Sequence, residues 1–206
     1  MPRGLYLLTC CMAGLFSLVM VASAQAPVRT PTELIEYLHD ALIDVMNDGE
    51  SLGFSGRFER LKPVIEEVDD LPYIARLTMG NHWKALTNQQ KTLFIETFSE
   101  LSISTYASRF TRYSGQTFAI TDVADLSRGG VQVRSILTGS RGKKTHLDYL
   151  LKQRNGQWKV INILAEGVSD LAVKQSEYSA LLTDEGFDGL INKLKEKIAS
   201  LQEGHE

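Results

Sequence analysis

Residues 145–164, THLDYLLKQRNGQWKVINIL, are two runs of aliphatic, aromatic and β-branched residues around Asn155-Gly156. Asn-Gly between such runs marks a tight hairpin, because both central positions of a type I′ turn need positive φ. Side chains alternate faces along a strand. Leu147 and Tyr149 therefore share one face of the first strand, Val160 and Leu164 share one face of the second, and His146 and Asp148 fall on the opposite side.

The same period runs through QTFAITDV (116–123) and GVQVRSILTG (130–139), joined by Arg128-Gly129-Gly130 and followed by Gly139-Ser140-Arg141-Gly142. The expectation is four antiparallel strands in a meander. Either side of it the period is helical. Leu34, Ile35, Leu38, Leu42, Ile43 and Met46 make a stripe starting at an N-cap on Thr32 and ending at Asn47-Asp48-Gly49. Shorter helices fit Gly56–Val68 and Leu71–Gly80.

Thr87-Asn88-Gln89-Gln90 is a capping box, in which each end satisfies the other's free backbone donor. The long helix it opens reaches about Tyr113, with Leu93, Phe94, Phe98, Leu101, Tyr106, Phe110 and Tyr113 on its apolar face. After the strands, Ala165-Glu166-Gly167-Val168-Ser169-Asp170 leads into a helix capped by Ser169, and Asp188 caps a last one. Helices, then a meander, then helices define an α+β domain with the helices on one face of the sheet.

The first residues have one cation, Arg3, an apolar run from Leu5 to Val21 and a small-residue site at Ala22-Ser23-Ala24. That pattern predicts a secretory signal peptide over residues 1–24 and a mature domain over 25–206. Broken by Thr9 and Ser17, the run falls short of the roughly 20 apolar residues of a membrane span. Both cysteines, Cys10 and Cys11, lie in the leader, so the mature domain needs no disulfide.

With 22 basic and 25 acidic side chains, net −3, nothing favours nucleic acid. Arg141, Lys143 and Lys144, and the helical Lys193, Lys195 and Lys197, read as solvated. No Gly-x-Ser-x-Gly elbow, Cys–His pair or phosphate-binding glycine loop occurs. His39, His82, His146 and His205 are isolated in sequence, so neither catalytic nor metal residues are expected. The acidic run Glu66-Glu67-Val68-Asp69-Asp70 is expected to be solvated surface, because helical neighbours point to different faces. A binding protein without a cofactor fits this inventory better than an enzyme. The enzymatic alternative, acid–base work by His146 or Asp148 on a small apolar substrate, is opposed by strand parity.

Several blocks resemble the MlaC, or toluene-tolerance, family of periplasmic phospholipid-binding proteins. They are LPY at 71–73, LTNQQKTLFIETF at 86–98, YSGQTF at 113–118, LDY at 147–149 and WKVINILAEGVSDLAVKQSEYSALLTDEGFDGLINKL at 158–194. STYASRFTRYSGQTF and GVSDLAVKQSEY also resemble the hopanoid-biosynthesis-associated branch of that family, so a polycyclic isoprenoid is the alternative cargo.

The resemblance implies a monomeric periplasmic carrier with an apolar pocket between a curved sheet and the helices. It further implies an inner-membrane ABC transporter complex with an MCE-domain subunit and an outer-membrane lipoprotein complex as partners. Two acyl chains, at about 0.8 kcal/mol per CH₂, need enclosure worth on the order of 20 kcal/mol. The expected lining is Phe94, Phe98, Tyr106 and Phe110 from the long helix, Leu147, Tyr149, Val160 and Leu164 from the sheet, and Val168 at the rim. For the aromatic stripe and for Val168, ordinary core packing is the competing reading.

Overall fold

The first helix, α1 (Pro31–Asn47), starts two residues earlier than the sequence suggests, with Thr30 as N-cap. Pro31 takes the first turn, where its missing N–H costs nothing, and Thr30 and Glu33 close a capping box. The computed structural model describes Met1 and residues 28–204. The expected leader beyond Met1, with both cysteines and the cleavage motif, lies outside the described residues, as does His205.

Helix α2 (Gly49–Val68) restarts at once after Asp48 and kinks at Gly53, so it is longer than its periodic part, Gly56–Val68. Buried Arg57 ties its start to the next long helix by donating to the carbonyls of Ala107 and Gly49, each at 2.8 Å. Helix α3 (Leu71–Thr78) is capped by the Asp70 carboxylate, which accepts from the Tyr73 N–H at 3.2 Å. A 3-10 turn, Gly80–Ala85, follows, which the sequence period did not reveal.

Helix α4 (Asn88–Arg109) has the expected capping box, Thr87 with Gln90. It ends before Tyr113, which is exposed, as is Leu93. Phe94, Thr97, Phe98, Leu101, Ile103, Ser104 and Ala107 are all buried, and at 100° per residue they spread over roughly 220° of the helix circumference. The helix is therefore central, which is why its amphipathic stripe is weak. Helices α5 (Asp170–Asp184) and α6 (Gly186–Glu203) complete the layer, with Leu190, Ile191, Leu194, Ile198 and Leu201 of α6 buried. Asp188 lies in the first turn of α6 and is not its cap.

The sheet is an antiparallel meander of five strands in chain order, β1 (Thr117–Leu126), β2 (Gly130–Thr138), β3 (Lys144–Arg154), β4 (Gln157–Ala165) and β5 (Val168–Ser169). The fifth strand was not expected. It arises because Glu166 and Gly167, at φ 51° and 76°, form a second tight hairpin like Asn155-Gly156, pairing Ala165 with Val168. The junction is thus a hairpin and then a helix cap, in place of a single corner.

Irregular pairing at two places, between Ile120 and Asp122 on β1 and between Val160 and Asn162 on β4, gives the sheet its bends. The helix-facing side carries Val131, Val133 and Ser135 of β2 and Tyr149 and Leu151 of β3, all buried. The other side is polar. Arg134 pairs with Asp122 at 2.6 Å and with Gln132 at 3.2 Å, and Gln132 donates to Asp148 at 3.0 Å.

Candidate functional site

The α4 aromatics divide into two groups. Phe94 and Phe98 are essentially inaccessible, and the ring partner of Phe94 outside α4 is Tyr178 of α5, edge-on at 5.9 Å. That pair belongs to the packing between helices. Further along, Tyr106 stacks on Phe110 at 6.1 Å, and Phe110 meets Phe118 of β1 at 6.3 Å. Only this second half of the stripe has a ring partner on the sheet.

Phe118 in turn lies flat on His39 of α1, centroids 4.2 Å apart and planes 11° apart. His39 Nε2 is 3.0 Å from the Tyr149 hydroxyl. His39, Tyr149 and Phe118 thus join α1 to the helix-facing side of β3 and β1. Burial holds His39 down to about 4, well below the usual histidine value, so it is neutral at physiological pH. Burial raises the Tyr149 and Tyr106 phenols, with the Asp69 carboxylate adding to both.

Asp69 is the residue that composition concealed. Among the carboxylates of the acidic run it alone is buried, 5% exposed. Its backbone is bridged to Val160 of β4, and the Asp70 N–H donates to the Val160 carbonyl at 2.9 Å. Burial pushes its carboxyl up to about 7, opposed in part by Lys159. The expectation of a wholly solvated acidic surface fails here because α2 ends directly against the sheet.

Parity on β4 also needs correction. Leu151 pairs with Val160, but Leu150 pairs with Asn162, so Ile161 is an extra residue. Beyond it, Ile163 faces Tyr149 and Leu164 faces Asp148. Directly paired residues share a face, so Leu164 belongs to the polar side and does not share a face with Val160. Ile163 takes its place against the core.

Val160 is buried and Leu147 half-buried on the helix side. Val168 is 59% exposed. Through Ala165 and Leu147 it sits on that same side at the sheet's short edge strand, which excludes the core reading for it. Ser169 caps α5 by accepting from the Ala172 N–H at 3.1 Å, and the Asn162 amide donates to the Ser169 hydroxyl at 3.0 Å. The Glu166 carboxylate accepts from the His146 backbone N–H at 2.7 Å. Every polar member of the junction therefore has a structural bond.

The residues considered for acid–base work are elsewhere. His146 is exposed, and Asp148 is held by Gln132 on the polar side. Among the described residues no group of three metal-binding side chains converges, and no helix is long and apolar enough to cross a membrane. One surface depression of about 410 Å³ is lined by Asp70, Gln153, Arg154, Asn155, Gln157 and Lys159, a polar set containing none of the expected lining residues.

One side of the meander thus closes on a helical layer, with aromatic and buried polar residues between them, in an α+β scaffold. The model of the MlaC protein family matches residues 36–196, and the chain belongs to that family. It is similar to the intermembrane phospholipid transport system binding protein MlaC of Haemophilus influenzae, 28% identical over 131 residues. That match takes in 62% of this chain and 61% of the relative's length. Its fold is that of the phospholipid-binding protein from Ralstonia solanacearum, solved in complex with a phospholipid. The TM-score is 0.72 at 23% identity, over 82% of this chain and 97% of the other.

Proposed function

We propose that this protein is a phospholipid-binding transport protein of the periplasm, which takes acyl chains between the sheet and the helices and carries lipid between inner and outer membranes. The observation that supports it most is its membership of the MlaC family, joined to a fold shared with a phospholipid complex. The proposed lining is the sheet-facing half of the α4 stripe, Tyr106 and Phe110, with Leu147, Tyr149 and Ile163 of the sheet, and Val168 at the rim. Phe94 and Phe98 are retained as the wall behind it.

Admitting two chains requires the Phe110–Phe118 and Phe118–His39 contacts to part, since these rings occupy the interval between α1, α4 and β1. Tyr106, Phe110 and Phe118 are half-buried, so their displacement costs less than opening the inaccessible Phe94–Phe98 core. An inner-membrane ABC transporter complex with an MCE-domain subunit and an outer-membrane lipoprotein complex are the proposed donor and acceptor. No step of such transport calls for a reacting group, and the reading is not enzymatic.

Transfer of a fluorescent phospholipid between donor and acceptor vesicles tests the function. Catalytic amounts of the protein are expected to accelerate transfer. No acceleration, together with no binding of the labelled lipid, would overturn it.

A further inference from the structure

Asp69 presents a problem that the lipid-carrier reading does not use. Its Oδ1 is buried and accepts no hydrogen bond. The two cations whose charge reaches it are engaged elsewhere, Lys159 with the carbonyls of Glu66 and Glu67 and Lys174 with Asp170. Leaving a buried acceptor unsatisfied is costly, and a buried carboxylate more so. An aliphatic side chain at this position would remove that cost.

The position is also fixed. Asp69 caps the end of α2, its N–H donating to the Ile65 carbonyl at 2.8 Å, and the next residue is bonded to Val160. Val160 lies on the helix-facing side of β4 and pairs with Leu151, two residues along the same face from Tyr149. Both Tyr106 and Tyr149 feel the Asp69 charge. The second unpartnered buried atom among the described residues, Ser104 Oγ, lies on the far side of α4 from Tyr106 and is a separate matter.

We propose that Asp69, held beside Val160 at the edge of β4 opposite β3, accepts a hydrogen bond from a hydroxyl at the buried end of an apolar ligand. This rests on the carrier reading and adds a chemical preference to it. Hydrocarbon alone leaves the acceptor unsatisfied, whereas a ligand whose inward end carries an O–H satisfies it. Selection would then follow from the penalty on ligands lacking the donor.

The test compares 1-dodecanol with dodecyl methyl ether, which share the dodecyl chain and the oxygen at its end but differ in the O–H donor. Displacement of an environment-sensitive dye from the intact protein gives both affinities. Wild type is expected to prefer the alcohol by about tenfold, the worth of one hydrogen bond to a carboxylate. Asp69→Leu should bring the ratio to about one, and Asp69→Asn, which keeps an acceptor oxygen and the side-chain shape, should lower it only in part.

A wild-type ratio near one overturns the inference, as does a preference undiminished in both variants. A parallel titration with labelled phosphatidylcholine separates the two claims. Phospholipid binding without alcohol preference removes only the role of Asp69, while failure of every probe removes the carrier reading with it.

Discussion

Asp69 and His39 titrate in opposite senses inside one interior, which makes them separable by experiment. The Asp69 carboxyl sits at about 7 against an ordinary 3.8. Across that window the native protein holds a proton that the unfolded chain has lost, so this group's contribution to stability falls as pH rises towards 7. His39 sits at about 4 against 6.5. There the unfolded chain binds a proton that the native state refuses, so stability is lost as pH falls through that window. Urea midpoints at several pH values should show Asp69→Asn gaining on wild type as pH rises and His39→Gln gaining as pH falls. Parallel curves for either variant would remove that residue from the account. Tyr106 offers a second comparison. In a packed core Tyr106→Ala should cost roughly 3–5 kcal/mol, but here the side chain is half-buried against Phe110. The expected result is a smaller loss of melting temperature with faster release of fluorescent lipid, and Tyr106→Phe should change release with little change in melting. A large melting loss with unchanged release would place Tyr106 in the core alone. Neither Asp69 nor His39 was legible as an interior residue, because nothing local separates Asp69 from its acidic neighbours and only the docking of α2 on β4 turns it inward.

At the level of elements, most of the sheet could be read from alternation and from Asn155-Gly156. The extra residue at Ile161 could not, since one inserted position leaves VINIL reading as an ordinary strand while reversing every face beyond it. Ile163→Ala is therefore expected to destabilise by about 2 kcal/mol and Leu164→Ala by less than about 1 kcal/mol, the difference between core and polar side. Equal losses, or the reverse order, would restore simple alternation. The hairpin at Glu166-Gly167 was hidden for another reason, because a strand of two residues carries no period. Its Gly167 has φ 76°, so Gly167→Val should cost about 1–2 kcal/mol by forcing a β-branched residue into the left-handed region. Thermal unfolding checks it, and an unchanged melting temperature would contradict the assigned turn. Capping boxes, by contrast, are local chemistry, and Thr87 with Gln90 was readable without any tertiary knowledge.

For the whole molecule, the order of helices and strands fixed the α+β layering, and the resemblance in the junction block agreed with the family model over residues 36–196. What the order could not supply is which side chains would line the proposed lipid site, since core and lining residues would both be apolar and both face inward. The proposed enclosure of hydrocarbon would involve the entire domain, and native mass spectrometry of the full chain purified without detergent measures it directly. The account predicts a monomer carrying one stoichiometric lipid, whose extraction and analysis identify a phospholipid or a polycyclic isoprenoid. A monomer of the bare polypeptide mass, unchanged after incubation with phospholipid vesicles, would contradict it.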